Sequence, residues 1–211
     1  RWSMAILQCC YLYSMPLPEL FVDRMRRSLG VGADLFFNAL ETEPPVSLRL
    51  NPFKSHEIFS EERLVPWCNS GRYLEKRISF TMDPLFHAGC YYVQEAASMY
   101  IEQAIKTIIS DQVPVRILDL CAAPGGKSTH LVSLLPPGSL VVCNEVISSR
   151  NKILQYNLSK WGTSNVVVTQ NAAEDFARLP SFFDLILVDA PCSGEGLFRK
   201  DPEATREWSV E

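Results

Sequence analysis

The apolar positions change rhythm along the chain. Near the start, Leu20, Phe21, Met25 and Leu29 follow Pro18 at helical spacing and stop at Gly30, which predicts a short amphipathic helix entered by proline and closed by glycine. A second helix is predicted over 33–40 and ended by Pro44-Pro45; 46–50 then alternates as a strand until Asn51-Pro52 turns the chain. Over 93–109 the spacing is helical again, with Glu95 and Glu102 off the apolar face. A regular order follows: strand 115–120, helix 127–135, strand 139–144, helix 148–160, strand 165–169, a short helical piece at 173–177, strand 184–188, and a last short helix through Trp208. Apolar strands alternating with helices specify a parallel sheet covered on both faces, joined by right-handed crossovers, with ligands at the C-terminal strand ends. The predicted class is therefore α/β, about four parallel strands, preceded by a small α+β region; 15–90 and 91–211 are the expected domains.

Composition narrows this without changing it. With 211 residues, 47% of them hydrophobic, the chain can bury one sizeable core or two small ones. No apolar stretch approaches the roughly 20 residues of a membrane helix, so a soluble protein is expected. Seven cysteines, odd in number and without a CxxC pair, suit reduced thiols in the cytoplasm better than disulfides or zinc, and no metal is expected. The apolar stretch 2–13 lacks a convincing small-residue cleavage site. Because the helical pattern begins only after Pro18, Met15 is expected as the natural start and 1–14 as an upstream extension. Net charge is −4, which argues against nucleic-acid binding through an overall basic field. The clusters Arg24/Arg26/Arg27 and Arg72/Lys76/Arg77 are read as solvated faces, with phosphate contact as the alternative.

The chemistry concentrates at two strand ends. After the strand ending at Leu120 comes Cys121-Ala122-Ala123-Pro124-Gly125-Gly126-Lys127, small residues that let the backbone pass close to a ligand. A phosphate-cradling P-loop needs glycine where Cys121 stands, and the dinucleotide spacing G-x-G-x-x-G is absent. S-adenosylmethionine (SAM) has no phosphate to cradle. The next strand ends at Asn144-Glu145, and an acid there can accept hydrogen bonds from both ribose hydroxyls; an exposed strand-end acid is the plainer alternative. Together these features point to a Rossmann-like SAM-dependent methyltransferase sheet.

The strand 184–188 delivers Asp189-Ala190-Pro191-Cys192 beside that loop. Carbon 5 of cytosine is a poor nucleophile, and methylating it requires a thiolate to add at carbon 6. A cysteine at this strand end fits that chemistry, with Asp189 available to hydrogen-bond the ring. A buried structural thiol is the alternative for Cys192. Cys121 is expected to matter through its backbone and Cys143 to be core.

These two motifs, with Gly194-Glu195-Gly196-Leu197-Phe198-Arg199-Lys200-Asp201-Pro202 and, upstream, Leu48-Arg49-Leu50-Asn51-Pro52 and Asp83-Pro84-Leu85-Phe86-His87-Ala88-Gly89, resemble the Sun-type RNA (cytosine-5) methyltransferases, most closely the bacterial 16S rRNA branch, RsmF. The resemblance covers nearly everything after residue 16. It implies that 121–127 wraps the methionine part of SAM, that Glu145 holds the ribose and that Asp189 lies at the methyl-transfer site. It also implies that Cys192 aids product release, while the nucleophile sits in a later Thr-Cys motif that does not occur in these residues. At the position of the family's adenine-contacting acid stands Ala172, with Asn171 as a substitute. Four strands, where such a sheet normally has seven, imply a fragment. The implied substrate is RNA, small-subunit rRNA foremost; a tRNA cytosine-5 methyltransferase and a non-catalytic SAM- or RNA-binding fragment are the alternatives.

Overall fold

The computed structural model describes residues 17–54, 58–110, 112–192, 194–199 and 201–209. The expected extension 1–14 and Met15 lie outside them, as do Ser193 and Lys200. The chain divides into two compact units, Arg1–Pro44 with Pro191–Glu211, and Pro45–Ala190.

In the first unit, α1 (Glu19–Leu29) and α2 (Ala33–Leu40) form where the spacing predicts them, with Gly30 ending α1 at φ +53°. Phe21 is the buried centre. The rings of Phe198, Trp208 and Phe36 stand 4.9, 5.9 and 6.2 Å from it. Glu195 takes the Arg24 guanidinium as an ion pair and a hydrogen bond from Trp208 Nε1 at 2.9 Å. Arg199 Nη2 donates to the carbonyls of Thr42 and Glu43 at 3.0 and 2.9 Å. The helices at the start thus hold the segment that follows Cys192.

The second unit begins with an antiparallel sheet of β1 (Val46–Leu50), β2 (Leu64–Val65), β3 (Cys68–Leu74) and β4 (Tyr91–Val93) in the order β2-β3-β1-β4, with α3 (Pro84–His87) leading into β4. Leu48, Leu50, Leu74 and Tyr91 form its core. The helix expected over 93–109 is shorter. Val93 belongs to β4, a 3-10 turn occupies Ala97–Tyr100, and α4 runs only over Ile101–Ile108. The reason is Gln94: its carbonyl accepts the Ser47 hydroxyl at 2.7 Å and its side chain accepts Arg49, which pins the backbone to β1 and forbids a helix there.

The parallel sheet follows, with β5 (Arg116–Asp119), α5 (Gly126–Leu134), β6 (Leu140–Asn144), α6 (Ser148–Trp161), β7 (Val166–Thr169), a 3-10 turn at Ala173–Arg178 and β8 (Leu185–Leu187). Strand order is β7-β6-β5-β8. The register aligns Asp119 with both Cys143 and Leu187, and Asn144 with Thr169, so the C-terminal ends lie level. Ile117, Leu131, Val141, Cys143, Leu154 and Leu158 fill the core between sheet and helices. Cover is complete only at the centre, since Val167 and Ile186 on the outer strands stay exposed.

Candidate cofactor and methyl-transfer site

The loop after β5 is built by hydrogen bonds between strand ends. Leu120 N donates to Leu187 O at 2.9 Å and Ala122 N to Asn144 O at 2.8 Å, so the loop leaves over β6. The Ala123–Pro124 bond is cis, and Gly125 then takes φ +107° as the residue before α5. Few side chains tolerate that backbone. Gly126 lies against Tyr92, whose ring carbon would be 3.3 Å from an added Cβ. The Tyr92 hydroxyl donates to Pro124 O at 3.3 Å.

Between this loop and the chain leaving β4 lies a cavity of about 200 Å³ within the second unit, with Asp119, Cys121, Lys127 and Asp189 among its lining residues. Lys127 Nζ donates to Asp189 Oδ2 at 2.5 Å, holding that carboxylate at the rim. Asp119 is 1% exposed; Ser128 Oγ donates to its Oδ2 at 2.7 Å, while its Oδ1 has no protein partner. Burial, aided by the charge of Asp189, raises its pKa to about 6. Burial and then the charges of Glu145 and Asp119 push the Cys121 thiol up, which keeps it protonated at neutral pH and unsuited to attack.

Glu145 is 2% exposed at the end of β6. Its Oε1 accepts Ile147 N at 3.0 Å. Its Oε2 stands 3.1 Å from Arg150 Nη1 as an ion pair, but it accepts no aligned hydrogen bond. Arg150 Nη2 also donates to Ala123 O at 2.8 Å, joining the acid to the glycine loop. Asn144 is the latch of this edge: its Nδ2 donates to Leu120 O and Asn171 O at 3.2 and 3.0 Å, and its Oδ1 accepts Asn171 N and the Thr169 hydroxyl, both at 2.9 Å. Asn171 is thus held by its main chain. Ala172 N donates to Asp175 Oδ2 at 3.2 Å.

The second unit therefore brings together Cys121, Ala122, Ala123, Pro124, Gly125, Gly126, Lys127, Glu145, Asn171 and Asp189 at one sheet edge. Cys192 belongs to the first unit and is exposed. Sequence reasoning overlooked Asp119, Asn144, Arg150 and Arg49. Asp119 and Asn144 stand in the sequence as polar residues ending apolar strands, and Arg49 within the Leu48 to Pro52 motif, but none of these was given a role from the sequence.

The site's polar atoms fit SAM. An orphan carboxylate oxygen on Asp119 and the Asp189 carboxylate suit a cationic ligand, and the buried Glu145 Oε2, paired with Arg150, still has hydrogen-bonding capacity unused by the protein. A triphosphate would meet these acids with Lys127 as the lining cation.

A second polar cluster lies behind α5. Cys68, Glu102 and His130 bring their ligating atoms within 4.8 Å of one another, all buried. They meet as a hydrogen-bonded network: His130 Nε2 lies 3.0 Å from Glu102 Oε2, and Lys106 Nζ 2.6 Å from Glu102 Oε1. Burial holds the Cys68 thiol up at about 11, and burial holds His130 down at about 4, outweighing its bond to Glu102.

Two family profiles match the chain: the N-terminal domain of 16S rRNA methyltransferase RsmF over residues 17–96, and 16S rRNA methyltransferase RsmB/F over 107–209. Proteins named ribosomal RNA small subunit methyltransferase F from Cronobacter sakazakii and an Enterobacter species are 37% and 38% identical to it over 93% of the chain. The chain spans 44% of the length of each of these relatives. A solved methyltransferase homologue from Pyrococcus horikoshii superposes with a TM-score of 0.72 at 30% identity, covering 88% of this chain and 63% of its own. With two profiles of one methyltransferase matched in succession along 17–209, the chain belongs to the RsmB/F family of 16S rRNA methyltransferases.

Proposed function

We propose that the whole protein methylates carbon 5 of cytosine in small-subunit rRNA, with SAM held at the loop 121–127 of this chain. The observation that carries the reading is the acid-lined cavity against Gly126, with Asp119 Oδ1 unpartnered at its wall. SAM supplies a methyl group on a sulfonium, a cation that these acids favour. In this proposal Cys121 to Lys127 enclose its methionine part, Asp119 and Asp189 accept its ammonium or face the reacting base, Glu145 binds the ribose, and Asn171 lies toward the adenine.

The chemistry assigns the remaining roles. A thiolate adds to carbon 6 of a flipped-out cytosine, and carbon 5, now enamine-like, accepts the methyl. The carbon 5 proton then leaves to a base, the thiolate departs from carbon 6, and the ring regains its double bond. Asp189, held by Lys127 at the cavity rim, is assigned to hydrogen-bond the cytosine ring during addition. Cys192 is assigned to product release, and the attacking cysteine to a Thr-Cys motif beyond residue 211. The 15–90 region is proposed as the accessory domain and 91–211 as the SAM-holding part, in a cytoplasmic protein. Among the described residues no helix is long and apolar enough to cross a membrane. The relatives' names support rRNA over the tRNA alternative.

The test uses the full-length protein, methyl-labelled SAM and small ribosomal subunits from a strain lacking the gene. One cytosine of the 16S rRNA is expected to gain 5-methylcytosine. Label in tRNA alone, or none in either RNA, would refute the assignment.

A further inference from the structure

The run Arg49, Asn51, Lys54 is the motif that the methylation chemistry leaves without a role. Arg49 sits on β1 opposite Tyr92 of β4 and is wholly out of solvent. Its Nε donates to Gln94 Oε1 at 2.8 Å, and its Nη2 donates to Thr129 Oγ1 at 2.6 Å and to Gly126 O at 3.2 Å. The guanidinium lies 4.6 Å from the centre of the Trp161 ring. Burial lowers its pKa to about 10, so it stays cationic at neutral pH. Two residues on, Asn51 Nδ2 donates to Gly89 O and Trp161 O at 2.8 and 2.9 Å. Lys54 Nζ donates to Ala88 O and Lys160 O at 2.5 and 2.6 Å. Lys160 and Trp161 close α6, whose last carbonyls lack helical partners and form the negative end of its dipole. The run 49–54, from the end of β1 into the turn after it, therefore grips α6 at its C-terminus and α5 at its first turn.

A buried cation is costly unless its donors are met, and a cation at the positive end of a helix is disfavoured further. Arg49 sits at such an end, where its Nη2 is met by the carbonyl and hydroxyl that fix the start of α5, while its Nη1 is buried without a hydrogen-bond partner. We infer that Arg49 is the positioning residue of the cofactor loop, holding Gly126 and the first turn of α5 against β4 so that the cavity is shaped before a ligand arrives. Asn51 and Lys54 anchor the other end of the same run to α6. The inference rests on the cavity being the SAM site, but the order of the loop can be read without ligand.

The experiment compares full-length wild type with Arg49→Met, Arg49→Lys and Leu74→Ala by amide hydrogen exchange over 122–129, SAM titration and steady-state kinetics. Leu74 is buried in the antiparallel core, so its truncation serves as a control for lost stability alone. Arg49→Met is expected to speed loop exchange and weaken SAM binding about tenfold or more, raising KM for SAM more than it lowers kcat. Arg49→Lys keeps the charge but not the fork, and is expected to regain stability without regaining loop protection. It carries the comparison if the methionine variant does not fold. Leu74→Ala is expected to leave loop exchange unchanged. Equal loop protection in wild type and the Arg49 variants, or equal loss in Leu74→Ala, would overturn the inference. A wild type that binds no SAM would sink the cofactor reading instead, and loop exchange would still decide the role of Arg49.

Discussion

At Gly125 the backbone stands at φ +107°, and an added Cβ would come within 3.3 Å of Leu154 Cδ1. Strain and crowding act together there, so Gly125→Ala is expected to cost about 1–3 kcal/mol, read as a lower urea midpoint. An unchanged midpoint would show that the turn tolerates a side chain. Glu145→Gln keeps the size of the acid but gives up its charge. SAM affinity is expected to fall about tenfold, with the thermal midpoint lowered only modestly, because the amide oxygen still accepts Ile147 N while the ion pair to the half-exposed Arg150 is lost. A dissociation constant within about twofold of wild type would remove Glu145 from the ribose site. The glycine turn, Glu145 and Asp189 were legible in the sequence because each sits at a fixed offset from an apolar strand. The roles of Arg49, Asn144 and Arg150 were not, because they depend on acceptors as far as 80 positions away, such as Thr129 for Arg49.

The parallel strands were legible for a related reason: each is a short apolar run between a helix and a turn, and its pairing follows from the order of the elements. The antiparallel strands β2, β3 and β4 were not. Cys68–Leu74 contains asparagine, serine, glycine and arginine, and it becomes a strand through pairing with β1 rather than through propensity. The helix expected from Val93 likewise gave way to a tertiary bond at Gln94. Where β3, α4 and α5 meet, Cys68, Glu102 and His130 make stability depend on pH. Burial keeps His130 near 4, below its ordinary value of 6.5, so its neutral form stabilises the fold fully above 6.5 and that contribution is lost as pH falls toward 4. Asp119 has the opposite sign, since its raised pKa near 6 favours the fold as pH falls below 6. His130→Gln separates the two. Between pH 7 and 5 wild type is expected to lose about 2 kcal/mol more than this variant. Equal losses in denaturant melts at the two pH values would contradict a buried neutral histidine.

At the scale of the whole molecule, the Asp189 to Cys192 motif spans the boundary between the two compact units, with Asp189 just past the end of β8 and Cys192 on the exposed segment that follows. If Cys192 serves release rather than attack, Cys192→Ala in the full-length enzyme is expected to accumulate a denaturant-stable protein–RNA adduct while turnover falls. Loss of the adduct together with activity would make Cys192 the nucleophile. Everything assigned to the reaction depends on what the cavity beneath the 121–127 loop binds. Calorimetric titration of the full-length protein with SAM and with ATP, beside Gly126→Val, tests that most directly, because a side chain at Gly126 presses on Tyr92 and Gln94 at the cavity wall. SAM is expected to bind wild type with one-to-one stoichiometry and to lose that binding in the variant, with no heat from ATP. Binding of ATP in place of SAM, or undiminished SAM binding in Gly126→Val, would contradict the account.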